Sequence, residues 1–168
     1  VVLGGAKGSE EFSQLPFDHL MFTGSTTVGR HVMRAAAENL TPVTLELGGK
    51  SPVVIDKDVD LSIVAARIMA GKLFNPGQVC VSPDYAFVPE ELLRPLIAEL
   101  EKATSTLFPS IADNPEYTAI VNENHFRRLQ HLISDATGAG VEIITFNPAD
   151  EGYEEAANRK LLPRVLLD

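Results

Sequence analysis

The chain has 168 residues, 45% of them hydrophobic, which is enough for one compact unit or for one unit plus part of a neighbour. Lys plus Arg total 14 and Asp plus Glu total 23, so the formal charge is −9; this argues against a nucleic-acid-binding domain and leaves no basic cluster for an anionic membrane surface. One cysteine excludes an intramolecular disulfide and suits a reducing, cytoplasmic setting, and no apolar run reaches the roughly 18 residues of a transmembrane helix.

In chain order, Val1–Leu3 reads as a strand end stopped by Gly4-Gly5, with no initiator Met and no signal-peptide pattern. His19–Phe22 is a short apolar strand stopped by Thr23-Gly24. Thr27–Asn39 reads as a helix with Val28, Val32, Met33 and Ala36 on one face. Strands follow at Val43–Leu47 and Pro52–Ile55, separated by Gly48-Gly49, where a break in composition marks a candidate domain boundary. Asp60 is placed to cap a helix carrying Leu61, Val64, Ala65 and Ile68. Asn75-Pro76-Gly77 signals a turn, and Tyr85–Val88 a strand. Pro89 and Glu90-Glu91 suit the first turn of a helix with Leu92, Leu96 and Leu100 inward, which Pro95 would kink rather than abolish. Ser110–Pro115 is the most loop-like stretch. Asn122 then caps a helix with Phe126, Leu129 and Ile133 inward, closing near Gly138. Val141–Phe146 is a strand, Asn147–Asn158 an exposed acidic loop or short helix, and Arg164–Leu167 a last strand. Strands alternating with helices make the fold class α/β.

Three segments carry chemical interest. In the first, Phe22-Thr23-Gly24-Ser25-Thr26-Thr27-Val28-Gly29, a strand enters a hydroxyl-rich turn that opens a helix. Free amide groups and the macrodipole at a helix start attract phosphate. The Gly24–Gly29 spacing is neither the dinucleotide fingerprint nor a P-loop, and plain N-capping by Ser25 is the simpler alternative. In the second, Glu46-Leu47-Gly48-Gly49-Lys50-Ser51-Pro52, a carboxylate ends an apolar strand beside two glycines. Such a group can serve as a base in a semi-apolar cleft, or simply pair with Lys50 across a turn. The third, Asn75-Pro76-Gly77-Gln78-Val79-Cys80, places the lone thiol on a loop between helix and strand, where its thiolate could act as a nucleophile; the alternative is a buried, inert cysteine. The four histidines form no metal-ligand pattern, His19 and His31 read as partly exposed, and Met21, Met33 and Met69 read as core fillers.

The order and spacing of Phe-Thr-Gly-Ser-Thr, Glu-Leu-Gly-Gly-Lys-Ser-Pro and Asn-x-Gly-Gln-x-Cys resemble the aldehyde dehydrogenase superfamily. The segment Gln78–Tyr85 is most similar to its class 3, fatty-aldehyde and coniferyl-aldehyde branch. The resemblance implies a three-layer α/β fold. Residues 1–49 would end the NAD(P)-binding domain, and residues 50–168 would begin the catalytic domain. It implies Cys80 as nucleophile, with its own amide helping to hold the oxyanion, and Glu46 as the base that activates water. Gly24, Ser25, Thr26 and Gly29 would lie along the pyrophosphate of NAD or NADP, and Leu47 and Gly48 near the nicotinamide. The substrate would be an aldehyde, and the parent a homodimer or homotetramer.

Family members are longer, so the ribose-binding strand, the Asn side chain of the oxyanion hole and the segment contacting the nicotinamide ribose would lie outside this chain. A CoA-acylating relative is one alternative, against which Glu46 counts, since thiolysis needs no water-activating carboxylate. A non-catalytic structural fragment is another. The polypeptide alone is therefore expected to bind NAD poorly. Fluorescence titration measures this, and dehydrogenase activity of the isolated chain would contradict it.

Overall fold

The computed structural model describes residues 4–152 and 155–167. The chain divides into two compact units, Val1–Gly49 and Lys50–Asp168. The expected strand at Val1–Leu3 lies outside the described residues.

The first unit runs α1 (Ala6–Ser13), β1 (Leu20–Thr23), α2 (Thr26–Ala37) and β2 (Val43–Glu46). β1 and β2 pair in parallel, from Leu20 opposite Val43 to Thr23 opposite Glu46. A small core of Leu20, Val32 and Ala36, flanked by Phe17, Phe22 and Val43, holds α2 against the strands. The buried stripe of α2 is Gly29, Val32 and Ala36. Val28 and Met33, expected on that face, are exposed, as is Met21 on β1; of the three methionines only Met69 is buried. Helical spacing identifies an apolar stripe but not how far round the helix its cover extends. α1 has no counterpart among the expected elements: its sequence, Ala-Lys-Gly-Ser-Glu-Glu-Phe-Ser, holds one large apolar residue and so gives no periodic signal.

The second unit runs β3 (Ser51–Val54), α3 (Leu61–Leu73), a single 3₁₀ turn (Asn75–Gly77), β4 (Pro83–Phe87), α4 (Glu90–Leu107), α5 (Glu123–Gly138), β5 (Glu142–Thr145), α6 (Glu155–Asn158) and β6 (Arg164–Leu167). β3 and β4 are parallel, and β5 and β6 antiparallel. The core gathers Ala65, Met69 and Leu73 of α3 with Leu96, Ile97 and Leu100 of α4, closed by Ile111, Tyr117 and Phe146. The ends of these helices are set locally. Asp60 accepts from the amides of Ser62 and Ile63, and its carboxyl is held below its ordinary range by the Ser62 hydroxyl and then by those amides. Asn122 accepts from the His125 amide. α4 passes through Pro95 without a break. No helix among the described residues is long and apolar enough to cross a membrane.

The acidic stretch Asn147–Asn158 departs from the exposed loop expected of it, although it does contain the short helix α6. Glu151 is half-buried and accepts from the amides of Ile111 and Ala112 at 3.0–3.2 Å. Glu155 accepts from the Leu162 amide and pairs with Arg164 at 2.7 Å, both side chains being only 17% exposed. Glu151 satisfies backbone donors about 40 residues away, which local composition cannot reveal.

Leu96 belongs to the core shared by α3 and α4 and is 3% exposed. Leu96→Ala is expected to lower the unfolding free energy by roughly 2–5 kcal/mol, read from urea denaturation.

Candidate active site

In the first unit, parallel pairing brings two of the three segments to one strand end. The Gly24 amide donates to the Glu46 carbonyl at 3.0 Å, so the hydroxyl-rich turn after β1 and the Leu47-Gly48 segment after β2 emerge side by side. Ser25 is the N-cap of α2, its hydroxyl accepting from the Val28 amide at 3.2 Å. Capping uses the oxygen as an acceptor and leaves the hydroxyl proton to donate. The first amides of a helix have no intrahelical partner, so those at Thr26 and Thr27 are available to an anion. Ser25 and Thr26 are both exposed.

Gly29 is different. It is buried, and a Cβ added there would stand 2.9 Å from Leu47 Cδ2. Its absent side chain lets α2 close onto the end of β2. Gly24 likewise lies under the Phe22 ring, which an added Cβ would meet at 2.5 Å, whereas Gly48 has open space around it. The Glu46 side chain is exposed. Beside these segments an apolar groove of about 1050 Å³ runs along α1, β1 and α2, lined among others by Gly8, Leu20, Met21, Val28 and Val32.

The second unit holds the cysteine. Cys80 is exposed, which removes the buried, packing alternative. It sits on the turn between the 3₁₀ segment and β4. Asn75 and Gly77 both adopt positive φ (54° and 77°) to turn the chain out of α3. Gly77 packs on the stem of Lys72. Ser82 anchors the far side of the turn: its amide donates to the Val79 carbonyl at 3.1 Å and its hydroxyl to the Gly71 carbonyl at 3.3 Å. Ser51, at the start of β3, donates to the Cys80 carbonyl at 3.5 Å. Lys50 pairs with Asp84 and not with Glu46 as the simpler reading of that segment had it. Burial lowers the Lys72 amine below its ordinary range, with Asp84 opposing the shift and Lys50 adding to it.

The sequence matches the aldehyde dehydrogenase family over residues 1–166. The chain belongs to that family. Over its full 168 residues this aldehyde dehydrogenase chain is 48% identical to a "Probable coniferyl aldehyde dehydrogenase" of Caulobacter vibrioides, covering 35% of that protein. It is 40% identical to the "Aldehyde dehydrogenase, dimeric NADP-preferring" of Rattus norvegicus, again over all of this chain and 35% of the relative. Both lie in the class 3 and coniferyl branch that the Gln78–Tyr85 segment resembles. The substrate-bound structure of Staphylococcus aureus AldH superposes with a TM-score of 0.85 at 38% identity, over 99% of this chain and 35% of that one. The chain thus has the α/β fold of the family and spans about a third of the length of the relatives it matches.

Around the cysteine of this aldehyde dehydrogenase chain, Ser51, Lys72, Gln78 and Ser82 shape the turn without having been singled out in the sequence. Ser51, Gln78 and Ser82 carried a signal only as letters of the quoted motif segments, and Lys72 carried none. Gly77→Ala forces a side chain into the left-handed region and should cost about 1–2 kcal/mol. Thermal unfolding measures the loss, and amide exchange accelerated over residues 75–82 locates it.

Proposed function

We propose that the protein oxidises an aldehyde to the carboxylic acid with NAD or NADP, with Cys80 as nucleophile and Glu46 as general base. The observation that carries this is the exposure of Cys80 on a turn braced from both sides, within a chain of this family. Val1–Gly49 is the end of the cofactor-binding domain and Lys50–Asp168 the front of the catalytic domain. The fit of the first unit to a dinucleotide is chemical. The start of α2 offers unpaired amides and the Ser25 hydroxyl to a diphosphate, and the groove beside it offers apolar walls to a flat ring. Bound there, the cofactor supplies the hydride acceptor.

The Cys80 thiolate attacks the aldehyde carbon, forming the C–S bond while the carbonyl electron pair moves onto oxygen. The Cys80 amide donates to that oxyanion. Oxidation leaves a thioester on Cys80. Glu46 takes a proton from a water, which adds to the thioester carbon, and the thiolate leaves with the C–S electron pair. Gly24, Ser25 and Thr26 would hold the diphosphate, Leu47 and Gly48 would border the nicotinamide, and Gly29 acts by letting Leu47 pack. Phe74 and Val81, 71% and 74% exposed near Cys80 in the chain, favour an apolar aldehyde, in keeping with the coniferyl aldehyde named for the Caulobacter relative. The active assembly is a homodimer, as the rat relative's name has it for that protein, or a homotetramer.

In the holoenzyme carrying this chain, Glu46→Gln is expected to give a burst of about one equivalent of reduced cofactor. The steady rate that follows should be slower by about 10²–10⁴-fold. Cys80→Ala should remove both phases in stopped-flow absorbance. Wild-type turnover by Glu46→Gln, or an acyl-CoA product formed only with added CoA, would overturn the water-activating role.

A further inference from the structure

Gln78 stands next to the cysteine's neighbour Val79, and its side chain reaches both back into the turn and beyond it. Its Nε2 donates to the Ala119 carbonyl at 3.1 Å and to the Asn75 carbonyl at 3.3 Å. Its Oε1 accepts from the Val121 amide at 2.9 Å. Its own backbone is tied as well: the Gln78 amide donates to the Asn75 carbonyl at 2.9 Å, and Asn75 Nδ2 donates to the Gln78 carbonyl at 3.3 Å. The segment it grips is itself fixed. The Ile120 amide donates to the Arg159 carbonyl at 2.8 Å, and Arg159 Nε returns a bond to the Ile120 carbonyl at 3.2 Å. One amide side chain thus spans two carbonyls and an N–H that lie 41 and 43 residues away along the chain, or three away within the turn.

We infer that Gln78 is a positioning residue for the nucleophile: by clamping the near limb of the turn to the 119–121 segment, it sets the direction of the Cys80 amide relative to the Cys80 sulfur. The inference rests on the reading of Cys80 as nucleophile. Ser82 and Ser51 hold the far limb, so the peptide between Gln78 and Ser82 is fixed at both ends. Attack on a carbonyl needs both the sulfur and the amide in register, because the new oxyanion must find a donor as the C–S bond forms. Displacement at a saturated carbon needs the sulfur alone.

Two probes separate these demands. With p-nitrophenyl acetate, the thiolate adds to the ester carbon, an oxyanion forms, and its collapse breaks the C–O bond and releases p-nitrophenolate, leaving an acetyl thioester on Cys80. With iodoacetamide, the thiolate displaces iodide and no oxyanion arises. Both consume the same thiolate, so the ratio of acylation to alkylation rates is independent of its pKa and reports the amide's contribution. Rates are followed on the chain by p-nitrophenolate release and by mass analysis of the Cys80 peptide.

The wild-type ratio is expected to exceed that of a free cysteine model. Gln78→Ala and the near-isosteric Gln78→Glu, which keeps the acceptor for Val121 but loses both donors, should lower the ratio about tenfold while alkylation changes by no more than about twofold. Circular dichroism confirms that each variant is folded, and Gln78→Glu carries the test if the alanine variant is not. An unchanged ratio in a folded variant overturns the positioning role. A wild-type ratio no higher than the model thiol's sinks the nucleophile reading first, before any variant is made.

Discussion

Parallel strand pairing is the constraint on which the candidate site depends. In a parallel pair, like ends lie together, so whatever follows one strand emerges beside whatever follows its neighbour. β1 and β2 finish together at Thr23 and Glu46, which sets the amides at the start of α2 next to the Leu47-Gly48 segment. β3 and β4 begin together at Ser51 and Pro83, which sets the turn bearing Cys80 next to the residue that follows Lys50. The first pair uses its carboxyl ends, where open α/β sheets generally receive ligands. The second uses its amino ends, and the Ser51–Cys80 contact is the direct consequence.

This arrangement lets small residues do specific jobs. Gly29 allows a close approach between α2 and Leu47, and Gly77 supplies a left-handed backbone three residues before the cysteine. Both positions look alike in the sequence, as glycines inside motifs, yet one serves packing and the other turn geometry. Ser25 caps α2, as the simpler of its two readings has it, and the same capping geometry leaves the helix start open to an anion.

Much of the architecture was legible in the sequence because it is local. The caps at Asp60 and Asn122, the buried face of α4, the burial of Phe126 on α5, and the strand at Arg164–Leu167 all follow from residue type at fixed spacing. What escaped is either aperiodic or long-range. α1 lacks a hydrophobic stripe. Val28, Met21 and Met33 belong to apolar patterns whose cover no spacing rule can supply. Glu151 was read as surface charge because its amide partners at 111 and 112 lie about 40 residues upstream, and Gln78 passed as a motif letter because its partners at 119 and 121 lie as far downstream. For the site, spacing and motif order pointed to the family, while the bracing of the cysteine turn needed coordinates.

The account's central claim is that carbonyl chemistry runs through the Cys80 sulfur. The direct measurement is peptide mass mapping of the Glu46→Gln holoenzyme after a single turnover with an aromatic aldehyde and saturating NAD or NADP. The account predicts an acyl group, equimolar with reduced cofactor, on the peptide containing Cys80. Reduced cofactor formed while Cys80 remains unmodified, or an acyl group on any other side chain, would contradict it.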